Sequence, residues 1–307
     1  MNRQELVTFA LGSISRGSKS FRFASRLFDR STRERVWLLY AWCRKCDDMA
    51  DGQDHGGAME EVPDPEAQLV AIRDLTARVI AGETTGEPAF DCLGIVAREA
   101  GLTQAMADDV IEGFALDTVD WRPRSEDDLM RYCFHVAGAV GVMMAAVMGV
   151  RKDDTETLDR ACDLGLAFQL ANIARDIEED DAAGRCYLPI EWLVNVDIEP
   201  GQHMKPHNRG KLSLLARQLC DESELYEASS RIGAAKLPFR SRWAVLAAAG
   251  IYGDIARKVR LKGDHAWDHR VHTRKRSKLG WVAKAFWMAW KNDPEPMDRS
   301  GLWVRPE

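Results

Sequence analysis

Two acidic clusters carry the residue types most suited to chemistry: Asp47-Asp48-Met49-Ala50-Asp51 and, far downstream, Asp176-Ile177-Glu178-Glu179-Asp180. In each, two aspartates stand four residues apart, which on a helix stacks their carboxylates on one face about one turn apart. Like charges so placed cost a helix a few tenths of a kcal/mol unless something neutralises them. A single pair of this kind is ordinary solvated surface. Here each pair extends a longer polar stripe on an otherwise apolar helix: Tyr40, Arg44, Asp47 and Asp51 in the first, Gln169, Asn172, Asp176 and Asp180 in the second. A buried stripe of carboxylates, amides and arginine needs counter-ions, and hard divalent cations with oxygen ligands are the natural ones. Two facing carboxylate helices with Mg²⁺ (or Mn²⁺) between them make a site for a diphosphate.

The elements that must position these stripes are helical. Alternation of apolar and β-branched residues with hairpin turns is nearly absent, whereas helical periodicity recurs throughout. The pattern predicts helices over Thr32–Met49, Pro65–Ala81, Glu87–Ala100, Thr103–Asp117, Ser125–Val150, Asp154–Asp180, Lys211–Leu237 and Phe239–Lys262. Breakers separate them: the acidic, Gly/Pro-rich segment 52–65 after the first cluster, Ala182-Ala183-Gly184 after the second, and the polar loop 195–210. The two aspartate helices come from opposite halves of the chain, so both halves must share one site. That favours one large all-α domain over residues 1–275, followed by a Trp-rich, basic extension over 276–307.

Composition narrows the partners. With 29% charged residues and a net charge of −6, the chain lacks the basic excess that nucleic-acid phosphates select. The first twenty residues lack the apolar run and cleavage site of a signal peptide, and the apolar run Val136–Val150 is short for a membrane span and reads as a core helix. A cytoplasmic protein with reduced thiols is expected. Cys43 and Cys46 form an isolated C-x-x-C within a helix, where packing is the simpler role. His203 and His207 sit in the polar loop, with no acidic cluster beside them in the sequence.

Gly, Ala and Met crowd two helical segments, 136–149 and 243–252. Small side chains let helices approach closely, and Met fills irregular gaps. The same residues can instead leave an apolar tunnel for a hydrocarbon tail beside the diphosphate site. The C-terminal stretch Arg274-Lys-Arg-Ser-Lys278, followed by Trp281, Lys284, Phe286, Trp287, Trp290 and Lys291, also has two readings: a last helix docked on the bundle through its indoles, or a weak peripheral anchor on anionic lipid.

Several motifs are similar to the squalene/phytoene synthase family, and within it to the bacterial phytoene synthases. They are Ser18-Lys-Ser-Phe21, Tyr40-Ala-Trp-Cys-Arg44 with Asp47-Asp48-Met-Ala-Asp51, Tyr132-Cys-Phe-His-Val-Ala-Gly138, the run Asp163 to Asp176, and Gly184-Arg-Cys-Tyr187-Leu-Pro189. The resemblance spans roughly residues 10–275. It implies an all-α isoprenoid-synthase helical bundle around a central apolar cavity. It also implies head-to-head joining of two geranylgeranyl diphosphates, in carotenoid biosynthesis. Carried over, Asp47, Asp51, Asn172, Asp176 and Asp180 resemble Mg²⁺ ligands. Gly17, Ser18, Lys19, Ser20, Tyr40, Arg44, Gln169, Arg175 and Tyr252 resemble residues that contact the diphosphates or their first carbons. Tyr132, Tyr187 and Arg270 fall where the family has further site residues.

No nucleotide-binding G-x-G-x-x-G follows a strand, which fits a reaction that ends without NADPH. Rival readings are the same fold acting on farnesyl diphosphate to give presqualene diphosphate, dehydrosqualene or squalene, a terpene cyclase, and a non-catalytic member used for binding or assembly. Intact aspartates argue against the last, and the Ser18-Lys-Ser-Phe21 and Gly184 to Pro189 segments against the cyclase.

Overall fold

Local signals set where each helix starts and stops. The computed structural model describes residues 1–51, 64–119 and 121–306; within these, the side chains of Lys19, Ser20 and Asp51 lie outside the description, as do residues 52–63 of the loop predicted over 52–65, whose last residue, Pro65, begins a helix instead. Thirteen α-helices occur among the described residues, and no strand. Helix α1 (Arg3–Gly17) opens with a reciprocal cap in which Asn2 and Glu5 satisfy each other's backbone N–H groups. Ser18 then breaks the chain in an extended conformation, ends α1 and caps α2 (Lys19–Ser25), its Oγ accepting the Phe21 N–H at 3.2 Å. Helix α3 (Arg30–Asp51) carries the first acidic cluster.

Asp64 caps α4 (Pro65–Ile80), with Pro65 at its first position. Gly101, at φ 70°, stops α5 (Pro88–Ala100), and Thr103 caps α6 (Gln104–Thr118). Ser125 and Asp128 form a capping box on α7 (Glu126–Cys133). The helix predicted over 125–150 is interrupted: Phe134–Gly138 adopt a π turn before α8 (Ala139–Val147). One extra residue in that turn re-aims everything after Tyr132, as π bulges do beside functional sites. This composite helix, Glu126–Val147, is long and apolar enough to cross a membrane by length and composition alone. Most of it is buried, as in the core of a globular fold.

Asp154 caps the 28-residue α9 (Thr155–Ala182), which carries the second cluster. The short α10 (Ile190–Asn195), then α11 (Arg209–Ala234), α12 (Phe239–Lys262) and α13 (Lys275–Lys291) complete the fold.

Six helices close a ring of neighbours: α3 touches α8, α8 packs on α9, α9 on α12, α12 on α2, α2 on α1, and α1 on α3. Among the described residues α3 and α9 both pack on α8 and do not pack closely on each other. Helices α11 and α5 cover the ring from outside, against α9 and α3.

The small residues serve the close approach of α8 and α9. A Cβ at Gly165 or Gly141 would collide with the carbonyl oxygens of Ala137 and Ala161, and one at Gly138 would stand 2.9 Å from the Cys162 sulfur. These glycines therefore pack backbone on backbone and do not line a tunnel. Cys46 is buried in the core and Cys43 packs partly buried against it; burial pushes both thiols up, Cys43 to about 12.

Candidate diphosphate site

The first wall is built on α3 and the α1–α2 junction. Tyr40, Arg44 and Asp47 follow one face of α3, and Arg44 Nη1 lies 2.8 Å from Asp47 and 3.5 Å from the buried Asp48. Gly17 faces them so closely that a Cβ there would collide with the Tyr40 hydroxyl and stand 3.7 Å from Arg44 Nε. That hydroxyl and that Nε are both buried, and although they lie close to each other neither makes a well-aligned hydrogen bond among the described residues. Burial pushes the Tyr40 phenol up, against the pull of the neighbouring Arg44 charge. An unmet donor in a protein interior costs about 1–3 kcal/mol, so two at one spot mark a place built for a polar ligand. The side chains of Lys19, Ser20 and Asp51, also predicted for this wall, lie outside the described residues.

The opposite wall is α9. Arg175 grips Asp176 with two hydrogen bonds, Nε at 2.7 Å from Oδ1 and Nη2 on Oδ2. Arg270, reaching in from the segment after α12, adds two more at 3.0 Å each and lies 3.5 Å from Glu179. Burial would push Asp176 up, but the two guanidinium groups outweigh it and hold the carboxyl below the usual range. The expectation that the clusters stand unneutralised without metal is therefore corrected: arginines already neutralise Asp47 and Asp176. Among the described residues no three His, Cys, Asp or Glu side chains converge closely enough to hold a metal ion.

Asp180 differs. Burial, then the charges of Asp176 and Glu179, push it up to about 7, with Arg185 and Arg175 opposing. A half-buried carboxylate repelled by its neighbours, beside Asn172 and Asp176 on one helix face, is an all-oxygen donor set suited to a hard divalent cation.

Gln169 and Asn172 occupy the same polar face of α9, and both are partly exposed. Tyr252, on α12, stacks on Phe168 with ring centroids 4.2 Å apart. Its ring keeps 38% of its surface exposed although burial pushes its phenol up, which describes a side chain lining an open cleft with protein around it.

Tyr132 and Tyr187 lie beyond the end of α9 and converge on a residue the sequence pattern did not reveal. Their rings stack 4.8 Å apart, and both phenols donate to the same oxygen of Asp117, at 3.0 and 3.3 Å. Trp121 continues the stack on Tyr132 at 5.2 Å. Burial and the Asp117 charge push Tyr132 well above its ordinary range and Tyr187 up to about 12. Both are held as protonated donors to Asp117. The only local sign of Asp117 was an acidic residue ending the apolar turn Phe114-Ala115-Leu116.

The polar loop over 195–210 also departs from expectation. His203 is buried, and its Nε2 lies 3.3 Å from Asp181, directly beside the second cluster. A small cavity there is lined by Asp180, Arg185, Cys186, Tyr187 and His203. The loop folds back over the end of α9, a return that sequence spacing does not encode.

Asp180 gives a pH prediction. An unfolded aspartate titrates near about 4, so between about pH 4 and about pH 7 the folded chain binds the extra proton. Stability from this group is therefore lost as pH rises through that window. In chelator the melting temperature is expected to fall by a few degrees from about pH 5 to about pH 8, and this part should vanish in Asp180→Asn. Glu222, pushed up to about 7 mainly by burial, titrates in the same window, so the difference between wild type and variant is the quantity to measure. Identical pH slopes in the two proteins would remove Asp180 from the site's electrostatics.

Residues 14–277 match the squalene/phytoene synthase family. The phytoene synthase of Pseudescherichia vulneris and the 15-cis-phytoene synthase of Pantoea ananas are each 44% identical, with all of both chains aligned. Among solved structures, a dehydrosqualene synthase in complex with ligand superposes with a TM-score of 0.83 at 24% identity, covering 94% of this chain and 98% of that one. A squalene synthase from Alicyclobacillus acidocaldarius gives 0.73 at 22% identity, covering 85% and 95%. At these identities the two structures establish the fold, the isoprenoid-synthase helical bundle.

Proposed function

We propose that this chain, which belongs to the squalene/phytoene synthase family, joins two geranylgeranyl diphosphates head to head into phytoene, by way of prephytoene diphosphate, in carotenoid biosynthesis. Curated 15-cis-phytoene synthases at 43–44% identity over essentially the whole chain make it a transferase of the phytoene synthase type. One geometric observation carries the diphosphate chemistry: the buried Tyr40 hydroxyl and Arg44 Nε at the Gly17–Ser18 junction, neither well aligned to a hydrogen-bond partner among the described residues, on the ring of helices that also bears Asp176 and Asp180.

Asp47, Asp51, Asn172, Asp176 and Asp180 would hold Mg²⁺, whose charge offsets that of the departing diphosphate. Arg44 and Arg175 would supply planar, fixed donors for the diphosphate oxygens, and Ser18, Lys19, Ser20 and Gln169 are proposed as further contacts. Arg270 shares Asp176 with Arg175 and is poised to transfer its hydrogen bonds to an incoming phosphate.

Breaking the allylic C–O bond leaves a carbocation at C1 of the donor, and the C2=C3 double bond of the acceptor attacks it. Loss of a proton closes the cyclopropane. Loss of the second diphosphate, rearrangement to the 1-1′ bond and loss of a second proton give the central double bond, so two diphosphates and two protons leave and no reductant enters. Phe168 and Tyr252 offer π faces to the cationic carbons at the cleft wall. Tyr132 and Tyr187, both donating to Asp117, hold an oriented polar end that excludes free water. The released diphosphate, a base left beside the cationic carbons, is the proposed acceptor of both protons. We place the reaction in the cytoplasm.

The decisive experiment incubates purified protein with Mg²⁺ and geranylgeranyl or farnesyl diphosphate, each with and without NADPH. Phytoene from geranylgeranyl diphosphate alone is the expected product. A strict need for NADPH, or a marked preference for farnesyl diphosphate, moves the chain to the squalene branch, and binding without turnover makes it a non-catalytic member.

A further inference from the structure

A surface helix of a globular protein turns its polar face to water. Helix α13 does not. Its inner face is fully engaged: Ala285 and Ala289 are buried, Trp243 Nε1 donates to the Val282 carbonyl at 2.9 Å, and Arg242 donates to the Ala289 carbonyl at 2.9 Å. Trp281 lies flat on Gly250 of α12, where a Cβ would collide with its ring, and the Arg257 guanidinium covers it at 5.0 Å. Arg257 is itself held by the buried Glu227 at 2.9 Å. The helix therefore cannot roll, and its outer stripe of Leu279, Ala283, Phe286, Trp287 and Trp290 stays in solvent, Trp287 55% and Trp290 64% exposed.

The stripe continues across the surface. Phe286 packs on Phe239 and Trp243 with centroids 5.6 and 5.1 Å apart, and Arg240 beside them donates to the carbonyls of Leu27 and Arg26. That contact leads onto α2, which exposes Arg22 and Phe23, with the exposed Arg26 at its C-terminal cap, and whose first turn follows Gly17 and Ser18 at the diphosphate site. Charge on this face runs against the rest of the molecule. Arg274 to Lys291 contain six basic residues and no acidic one, in a chain whose net charge is −6. Lys284 and Lys291 lie over indole rings at 4.6 and 5.7 Å.

We propose that the outer face of α13, continued through Phe239 and Arg240 onto α2, is a docking surface for an anionic lipid bilayer, which sets the α2 wall of the site against the membrane. Indoles at the head-group boundary and cations facing acidic lipid are the two signals that peripheral binding needs together. The assignment adds to the condensation reaction a place for its water-insoluble product to go.

Deleting α13 would uncover Gly250 and Trp243, so point variants are the cleaner test. Full-length protein, without isoprenoid, is floated with vesicles of phosphatidylcholine alone or with about one third phosphatidylglycerol. Wild type is expected to bind the anionic vesicles, less so in high salt. Trp287→Ser/Trp290→Ser should lower partitioning at least about tenfold, and Lys284→Gln/Lys291→Gln should reduce the preference for anionic lipid, with both variants melting as wild type does. Wild type that stays off anionic vesicles, or an aromatic variant that partitions unchanged, overturns the proposal. So does a concentration-dependent dimer in sedimentation that the aromatic variant abolishes, since a second copy then covers the face. Because no substrate is present, failure here is separate from failure of the condensation assay.

Discussion

Asp176→Asn is expected to lower turnover at least about a thousandfold, close to 4 kcal/mol of barrier, while leaving the melting temperature within a few degrees of wild type. The asparagine keeps the shape and loses the charge. Asp176 is hydrogen-bonded by two arginines, Arg175 beside it and Arg270 from the segment after α12. It also stands one turn from Asp180, so the charge it loses is shared by the proposed cation site and by both guanidinium groups. Stability falls only modestly because Arg270 is more than half exposed, where ion pairs contribute about 0–1 kcal/mol, and the asparagine keeps an oxygen acceptor for the more buried Arg175. Asp47→Asn should behave similarly, since Asp47 pairs with Arg44 one turn away on the same face of α3. The checks are single-turnover rates at saturating Mg²⁺ and a melting curve. Near-normal rates in either variant would falsify the two-cluster site.

Gly17→Ala should lower kcat/KM by about a hundredfold or more through steric conflict alone. The added methyl meets the Tyr40 hydroxyl, so either the α1–α2 junction or the phenol must move, and both border Arg44. Overpacking of this kind also destabilises by about 1–3 kcal/mol. Removing the hydroxyl in Gly17→Ala/Tyr40→Phe relieves the collision, because the next ring atom lies at 3.4 Å, an ordinary contact. The double variant should therefore regain its melting temperature and remain poorly active, since Tyr40 itself is proposed to meet the diphosphate. Recovery of activity along with stability would mean that the Tyr40 hydroxyl has no ligand role.

The acidic stripes were legible because helical periodicity is local: residues four apart share a face wherever the helix later packs. The same holds for the caps at Asp64, Thr103, Ser125 and Asp154, where a side chain closes on a backbone N–H three residues on. Helix α1 carried the same kind of signal in Asn2-x-x-Glu5, although its periodicity was not singled out. The π turn at Phe134–Gly138 had no such local sign, because an extra residue in a helix is accommodated by neighbours, here the close face of α9.

What spans the chain was set by packing. Arg270 meets Asp176 across 94 residues, Tyr187 meets Asp117 across 70, and His203 meets Asp181 only because its loop folds back over the end of α9. The two uses of the C-terminal indoles show the division most plainly. Charge and aromatic content alone mark residues 274–291 as suited either to a core or to an interface. Trp281 took the core because Gly250 offers a flat seat beneath Arg257, and that seat turns Trp287 and Trp290 outward. The sequence by itself determined which residues form helices and which face of each is polar, since both follow from contacts within a few residues. Only the tertiary structure decided which polar faces meet, which carboxylates arginines already neutralise, and which aromatic face is left without a partner, since those depend on groups brought together from distant parts of the chain.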